Sequence, residues 1–440
     1  MFVRYAILLS MILLSQSPAR ASELNDAVKY DYDVYLAGLF DHFHRNPELS
    51  LVEFETAKRM AGELREAGFD VTEGVGGTGV VAIMNNGEGP LVMMRADMDG
   101  LPVEEKSGLP NASRKQQQSP ITGDTVFTMH ACGHDVHITS LVGTARQMAA
   151  RKDQWSGTLM LVVQPAEERV IGAKAMKADH IWDRFGRPDY ALAFHVNSND
   201  VAGKINISEG SPFAGADTVD IIIHGVGAHG AHPHRSKDPI VLGSQIVLAL
   251  QTLVARELSP RDPGVVTVGS FHAGTKHNII SDRAHLQLTV RNTSKETREL
   301  LLSGIQRIAV NMGRVAGLPE DKLPEVIISE ESVPPTNNDA VTTRRLKTAW
   351  AGAMGEATVI YAPTKGMGAE DFPFFSTDPA ITSVYWQIGG TPAEDFEREA
   401  AGGAPVPSHH SPLFKIAPEP SVRAGVESTV VALLELMGAK

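Results

Sequence analysis

The segment Met129–His137, MHACGHDVH, holds the only cysteine of the chain, Cys132, one residue away from His134 and flanked by His130, Asp135 and His137. A thiolate and imidazoles are natural ligands of zinc and neighbouring transition metals, and a Cys-x-His pair can face one ion from a single turn. Three later elements make the pattern more specific: QPAEE with Glu167 and Glu168, AFHV with His195, and HHSPLF with His410. Together they offer sulfur, imidazole and carboxylate enough for two cations. Taken singly, each has a plainer reading. A lone cysteine is often a small buried hydrophobe, a Glu-Glu pair a solvated face, His195 a core histidine bonded to backbone, and His409 and His410 surface residues of a Pro-rich loop. A Cys132–His134 nucleophile pair is a further reading, but it leaves the paired carboxylates and the other histidines without a task.

Adjacent carboxylates at the end of a buried strand project differently, so one can bind metal while the other holds a water. In metal-assisted hydrolysis a free carboxylate takes the proton of a water whose pKa the ion lowers towards about 7. Glu167 is assigned as that general base and Glu168 as a ligand.

The elements that must position these residues follow from the apolar pattern. Two amphipathic helices are expected between Val28 and Phe69, with Gly68 as a stop. Apolar runs at GVVAIMNN, PLVMMRAD, TLMLVVQ and YALAFHV alternate with a helix after His137. Strands alternating with helices predict an α/β fold, a mostly parallel sheet covered by helices. Ligands of such sheets gather beyond the carboxyl ends of the strands. Asp97, Asp99, Glu167, Glu168 and His195 all fall where apolar runs stop. From about residue 215 to 332 the texture becomes strand, helix, two strands and a helix from Lys295 to Val315, which predicts a small inserted α+β unit. The chain then returns, closing with a helix from Ser421 to Met437. The polar stretch Asn111–Asp124 reads as a long loop.

With 440 residues, two domains are expected. The balance 40 − 52 = −12 disfavours nucleic acid or an anionic membrane surface as partner and suits a small-molecule substrate. Arg4, the run Ala6–Leu14 and the Ala19-x-Ala21 pattern read as a cleavable leader over 1–21, too short to span a membrane. The expectation is a periplasmic or secreted protein with no membrane anchor, beginning at Ser22. One cysteine excludes an intrachain disulfide, and a bound metal would protect a thiol in an oxidising compartment.

The ordered set RADMDGLPVEE, MHACGHDVH, QPAEE, FHV, GAHPH, GAEDF and HSPLF resembles the amidohydrolase branch of the metallopeptidases that includes hippurate hydrolase, N-acyl-amino acid amidohydrolases and indole-acetyl-amino acid hydrolases. The resemblance implies a binuclear metal domain (22–214 and 333–440) interrupted by a lid that also dimerises (215–332). It implies metal ligation by Cys132, His134, Glu168, His195 and His410, with Glu167 as general base. Asp97 and Asp99 would support the ligands. His229 would polarise the scissile carbonyl, often from the partner subunit. Asn278 and Arg291 would handle the substrate's polar end, with Glu370 near the substrate. The implied cofactors are two divalent ions, zinc or manganese ahead of cobalt or nickel. One departure is RVIGAKAM after PAEE, where relatives have a glycine-rich loop, so that Arg169 and Ile171 stand beside Glu167. The resulting expectation is hydrolysis of the amide of N-acyl amino acids or related conjugates. A dipeptidase or carboxypeptidase on the same scaffold is the alternative, and a periplasmic ligand-binding protein a more distant one.

Overall fold

The computed structural model describes residues 18–362, 366–377 and 379–438. The expected leader lies outside these but for its last residues, where helix Pro18–Asp31 begins.

Four parallel strands form the middle of an eight-stranded sheet, in the order Gly157–Gln164, Leu91–Asp97, Tyr190–Val201 and Thr382–Thr391. Antiparallel strands extend it on both sides, Gly79–Asn86 and Asp70–Val75 at one edge and Ile205–Ile207 beyond Thr382–Thr391 at the other. Successive side chains of a strand point to opposite faces, so a sheet covered on both sides needs apolar residues at nearly every position. Met94, Leu159, Leu161, Phe194 and Trp386 belong to the core shared with helices His134–Ala150 and Pro418–Met437. Their strand neighbours Met93, Met160, Val162, Ala193 and Tyr385 belong to a second core with Met176, Phe372 and Phe375.

A separate four-stranded antiparallel sheet has the order Gly264–Ala273, Arg283–Asn292, Gly215–His224, Glu325–Ile328. Its own core joins Val219, Ile221 and Leu286 to Leu242 and Ile246 of helix Pro239–Thr252 and Ile305 of helix Lys295–Val315. Both helices start where the sequence supplies a cap: the Asp238 carboxylate accepts from the amides of Ile240 and Val241, with Pro239 following, and Ser294 accepts from Thr297.

Two local expectations change. The helix expected after His137 begins at His134, because Gly133 takes the left-handed conformation (φ 84) that lets the chain turn directly into it. The stretch Asn111–Asp124 is not wholly loop: Gln116–Gln118 pairs with Thr125–Phe127 as a short hairpin. Three glutamines carry little strand signal. Gln117 is held instead through its side chain, which accepts from the Leu49 amide (2.7 Å) and donates to the Val52 carbonyl (3.1 Å).

A buried histidine ties this loop to the metal motif. His44, from helix Ala37–Arg45, bonds through Nδ1 to Asp135 (2.7 Å) and lies 3.4 Å from Glu105 through Nε2. Glu105 in turn accepts from the Ser113 amide. Burial alone would depress His44, but hydrogen bonds to Asp135 and Glu105 overcome it and push it up to about 10. A group raised in the folded state adds stability that is complete below its ordinary value of 6.5 and is lost as pH rises through about 10. We predict that His44→Gln costs about 3–5 kcal/mol at neutral pH, as for one partner removed from a buried pair. The gap in urea midpoint between wild type and variant should narrow from pH 7 to pH 10; a pH-independent gap would contradict the charged clamp.

Candidate metal centre

Each candidate ligand is fixed by its own backbone setting. Cys132 sits in the turn that Gly133 completes, and a Cβ added at Gly133 would lie 2.3 Å from Val196 Cγ1. His134 is the first residue of its helix. Glu167 and Glu168 occupy a single turn following the strand Gly157–Gln164. His195 lies within the strand Tyr190–Val201, in register with Gln387. The His410 amide donates to the Ala131 carbonyl (2.9 Å), which docks its loop on the cysteine turn.

The five candidate ligand side chains converge. Cys132 Sγ is 3.5 Å from His195 Nε2. His134 Nε2 is 3.9 Å from Glu168 Oε1, and His410 Nε2 is 3.3 Å from Glu168 Oε2. Two trios share the sulfur, one with His134 and His195 and the other with Glu168 and His410, each with ligand atoms within 4.8 Å of one another. Hydrogen-bond chemistry then fixes where the lone pairs point. His134 Nδ1 faces the Asp99 carbonyl (2.8 Å) and His195 Nδ1 faces the Val196 carbonyl (2.7 Å). A carbonyl only accepts, so both rings carry a proton at Nδ1 and both aim Nε2 into the cluster. His134 Nε2 and Glu168 Oε1 are buried without any hydrogen-bond partner. Buried, unpartnered groups of this kind suit a cation, and the S, N and O donor set is that of zinc and its neighbours.

The surrounding residues orient these groups. Both Asp99 oxygens accept, Oδ1 from the Glu167 amide and Oδ2 from the Glu168 amide (each 3.1 Å), and Oδ2 also from Ser50 (2.6 Å). Asp97 is engaged at both oxygens, by His137 Nδ1 (2.5 Å) and Arg95 Nη1 (2.6 Å), and remains 3.7 Å from His134 Nε2. His137 Nε2 accepts from the Val196 amide (2.8 Å), so its ring is used up on both sides. Arg95 also reaches Gln164, Asp371 and Glu370. One buried guanidinium thus faces Asp97, Glu370 and Asp371, with Asp99, Glu167 and Glu168 close by. The excess of negative charge shows in the titration: burial and then Glu168 hold Glu167 well above the ordinary carboxylate range, and burial pushes Glu168 up to about 7 against the opposing pull of His134.

Glu370, expected near the substrate, is buried in this network. Its Oε1 accepts from the Phe372 amide (2.7 Å), Oε2 lies 3.3 Å from Arg95, and it stands within 4.8 Å of Glu167 and Asp371. His229 is exposed on the short strand Ala228–His229, and Asn278 accepts through its carbonyl from the Gly230 amide. Arg291 is half-buried and donates to its neighbour's carbonyl, that of Val290. Among the described residues, no hydrogen bond, ion pair or ring contact joins these three to the five ligand side chains. Arg95, His137, Gln164 and Asp371 are site-building residues that motif reading passed over. The available signal was an arginine inside the apolar run PLVMMRAD, since a buried charge requires partners.

Residues 93–401 match the peptidase family M20/M25/M40. The chain is 36% identical over 335 residues to hippurate hydrolase of Campylobacter jejuni, covering 76% of this chain and 82% of that protein. It is 36% identical over 337 residues to thermostable carboxypeptidase 2 of Saccharolobus solfataricus, covering 76% and 80%. A solved Bacillus subtilis structure, described as a dinuclear metal-binding peptidase from the M20 family, superposes with a TM-score of 0.74 at 26% identity, over 92% of this chain and 99% of that one.

The glycine at 133 gives a direct test of the cluster's geometry. Gly133→Ala should lower the melting temperature and the bound metal per chain, because both its φ and Val196 reject a Cβ. Gly402→Ala, at φ 84 with nothing within 4 Å of the added Cβ, should cost only about 1–2 kcal/mol and leave metal content unchanged. Thermal melts and elemental analysis distinguish the two; equal metal content would show that the turn does not set the site.

Proposed function

The chain belongs to peptidase family M20/M25/M40, and on that premise we propose that it hydrolyses the amide bond of N-acyl amino acids or related conjugates with two divalent cations held by Cys132, His134, Glu168, His195 and His410. The observation that carries this reading is the convergence of His134 Nε2 and His195 Nε2 with Cys132 Sγ and the Glu168 carboxylate. Zinc or manganese is the first choice, with cobalt or nickel next; the sulfur ligand favours zinc.

Bound there, the cations supply polarisation of the scissile carbonyl and a water acidified towards neutrality. Glu167 accepts the water's proton and delivers it to the leaving nitrogen. Burial and Glu168 raise its basicity, which suits a proton acceptor. Its main-chain amide is pinned by Asp99. His229 Nδ1 accepts from the Ala231 amide (3.0 Å), so its Nε2 carries the proton and is free to donate to the developing oxyanion.

Among the described residues no hydrogen bond, ion pair or ring contact joins His229 to the cluster of its own chain, and we place it in the site of a second copy. Helix Pro239–Glu257 is apolar enough, by length and composition, to cross a membrane. Its inner side packs through Leu242, Ile246, Leu250 and Leu253 on the lid sheet, leaving Val241, Leu248 and Val254 exposed beside Phe271 of the edge strand. A homodimer would cover that face. The leader-like N-terminus supports a periplasmic or secreted location.

Incubating the purified protein with N-acyl amino acids and with glycyl dipeptides, and measuring released amino acids, tests the substrate class. Cleavage of the dipeptides alone would favour the carboxypeptidase-like alternative that the Saccharolobus relative suggests. We predict that Glu167→Gln abolishes turnover while elemental analysis finds metal content near that of the wild type. His229→Ala should lower kcat about a hundred- to a thousandfold, as for the loss of one oxyanion donor. Mixing it with an inactive Glu167→Gln variant should restore part of the rate if the histidine acts across subunits.

A further inference from the structure

We propose that His409 is a positioning residue of the metal site: it donates its Nδ1–H to the Cys132 sulfur and so governs how firmly the thiolate holds a cation. The proposal rests on Cys132 being a ligand, as read above.

Sequence places His409 beside His410 in a Pro-rich loop, where both could face solvent. The structure separates them. His410 Nε2 turns to Glu168 and is largely exposed. The His409 ring is partly buried, packed at 4.9 Å and 34° on Phe414 and edge-on to His195 at 5.3 Å. Its Nε2 accepts from the Ser198 backbone amide (3.2 Å), and an amide only donates, so this nitrogen bears no proton. A neutral ring must then be protonated at Nδ1, which lies 3.8 Å from Cys132 Sγ. That tautomer excludes His409 as a metal ligand and makes it an N–H donor to sulfur. A donor there stabilises the thiolate against its proton and draws electron density from it, as outer hydrogen bonds to ligands do.

Cobalt(II)-substituted protein reads the interaction directly through its sulfur-to-cobalt charge-transfer band. We expect the band in the wild type, moved to lower energy in His409→Phe, and near its original position in His409→Asn, whose amide nitrogen can replace Nδ1. Zinc affinity, measured by chelator competition, should fall about 10–100-fold in the phenylalanine variant and recover in the asparagine variant. An unchanged band in His409→Phe overturns the proposal, as does an equal loss of affinity in both variants, which would mark a packing role. Absence of the band in the wild type would instead overturn Cys132 as a ligand. Should His409→Phe not fold, selective 15N-histidine spectra of the wild type decide, with the signal assigned by its loss in His409→Asn; a ring protonated at Nε2 refutes the donor.

Discussion

The site is arranged around buried nitrogen, sulfur and carboxylate groups that face one another. His134 Nε2 stands 3.9 Å from Glu168 Oε1, and His195 Nε2 stands 3.5 Å from Cys132 Sγ. In each histidine Nδ1 is committed to a carbonyl, that of Asp99 or of Val196. Buried lone pairs cost free energy unless a proton or a cation satisfies them. The field of the nearby carboxylates shows the demand: burial alone would depress His134, yet Asp97 and the hydrogen bonds to Asp99 and Cys132 raise it well above the ordinary histidine value. Proton and metal therefore compete for the same nitrogen, and metal binding must release protons.

Holding such a cluster requires backbone that the chain would not adopt freely. Ala166, Val170 and His410 are non-glycine residues at φ 48, 59 and 66; the first two flank Glu167 and Glu168, and the third is itself a candidate ligand. Left-handed conformations of this kind cost about 1–2 kcal/mol each and persist only where surrounding contacts over-determine them. The contacts are present. The Ala166 amide donates to the buried carboxylate of Glu53 (2.8 Å), the Val170 amide to the Glu167 carbonyl (2.7 Å), and the His410 amide to the Ala131 carbonyl (2.9 Å). The doubly covered sheet is what makes these concessions tolerable, since the strain is local and the apolar burial extends across both of its faces.

The sequence was most legible where side-chain chemistry and periodicity coincide. Apolar runs ending in Asp97, Gln164 and near His195 announced parallel strands whose ends share a rim, and the helix expected from Lys295 to Val315 forms over those residues. Ligand types could be read because few residue types bind such metals. Pairings across long separations were not legible. Arg95 with Asp371, His44 with Glu105 and Asp135, and His409 with Cys132 depend on tertiary distances that no local pattern encodes. Glu370 shows the same limit, since nothing near it in sequence announces its ion pair with the buried Arg95.

Chemistry and selectivity are physically separated in this arrangement. Of the five candidate ligands, His134 and His195 are buried and hydrogen-bonded to main-chain carbonyls and Cys132 is buried beside them, so these three have little freedom to adapt to different substrates. Variation can enter where side chains are exposed and uncommitted. Arg169, one residue beyond Glu168, is exposed and has no ion pair among the described residues. Arg291 is half-buried and donates to the Val290 carbonyl, and burial lowers its affinity for its proton against the opposing pull of Asp217. A scaffold built in this way can keep one hydrolytic mechanism while its rim changes, which is consistent with relatives of similar identity bearing names as different as hippurate hydrolase and carboxypeptidase.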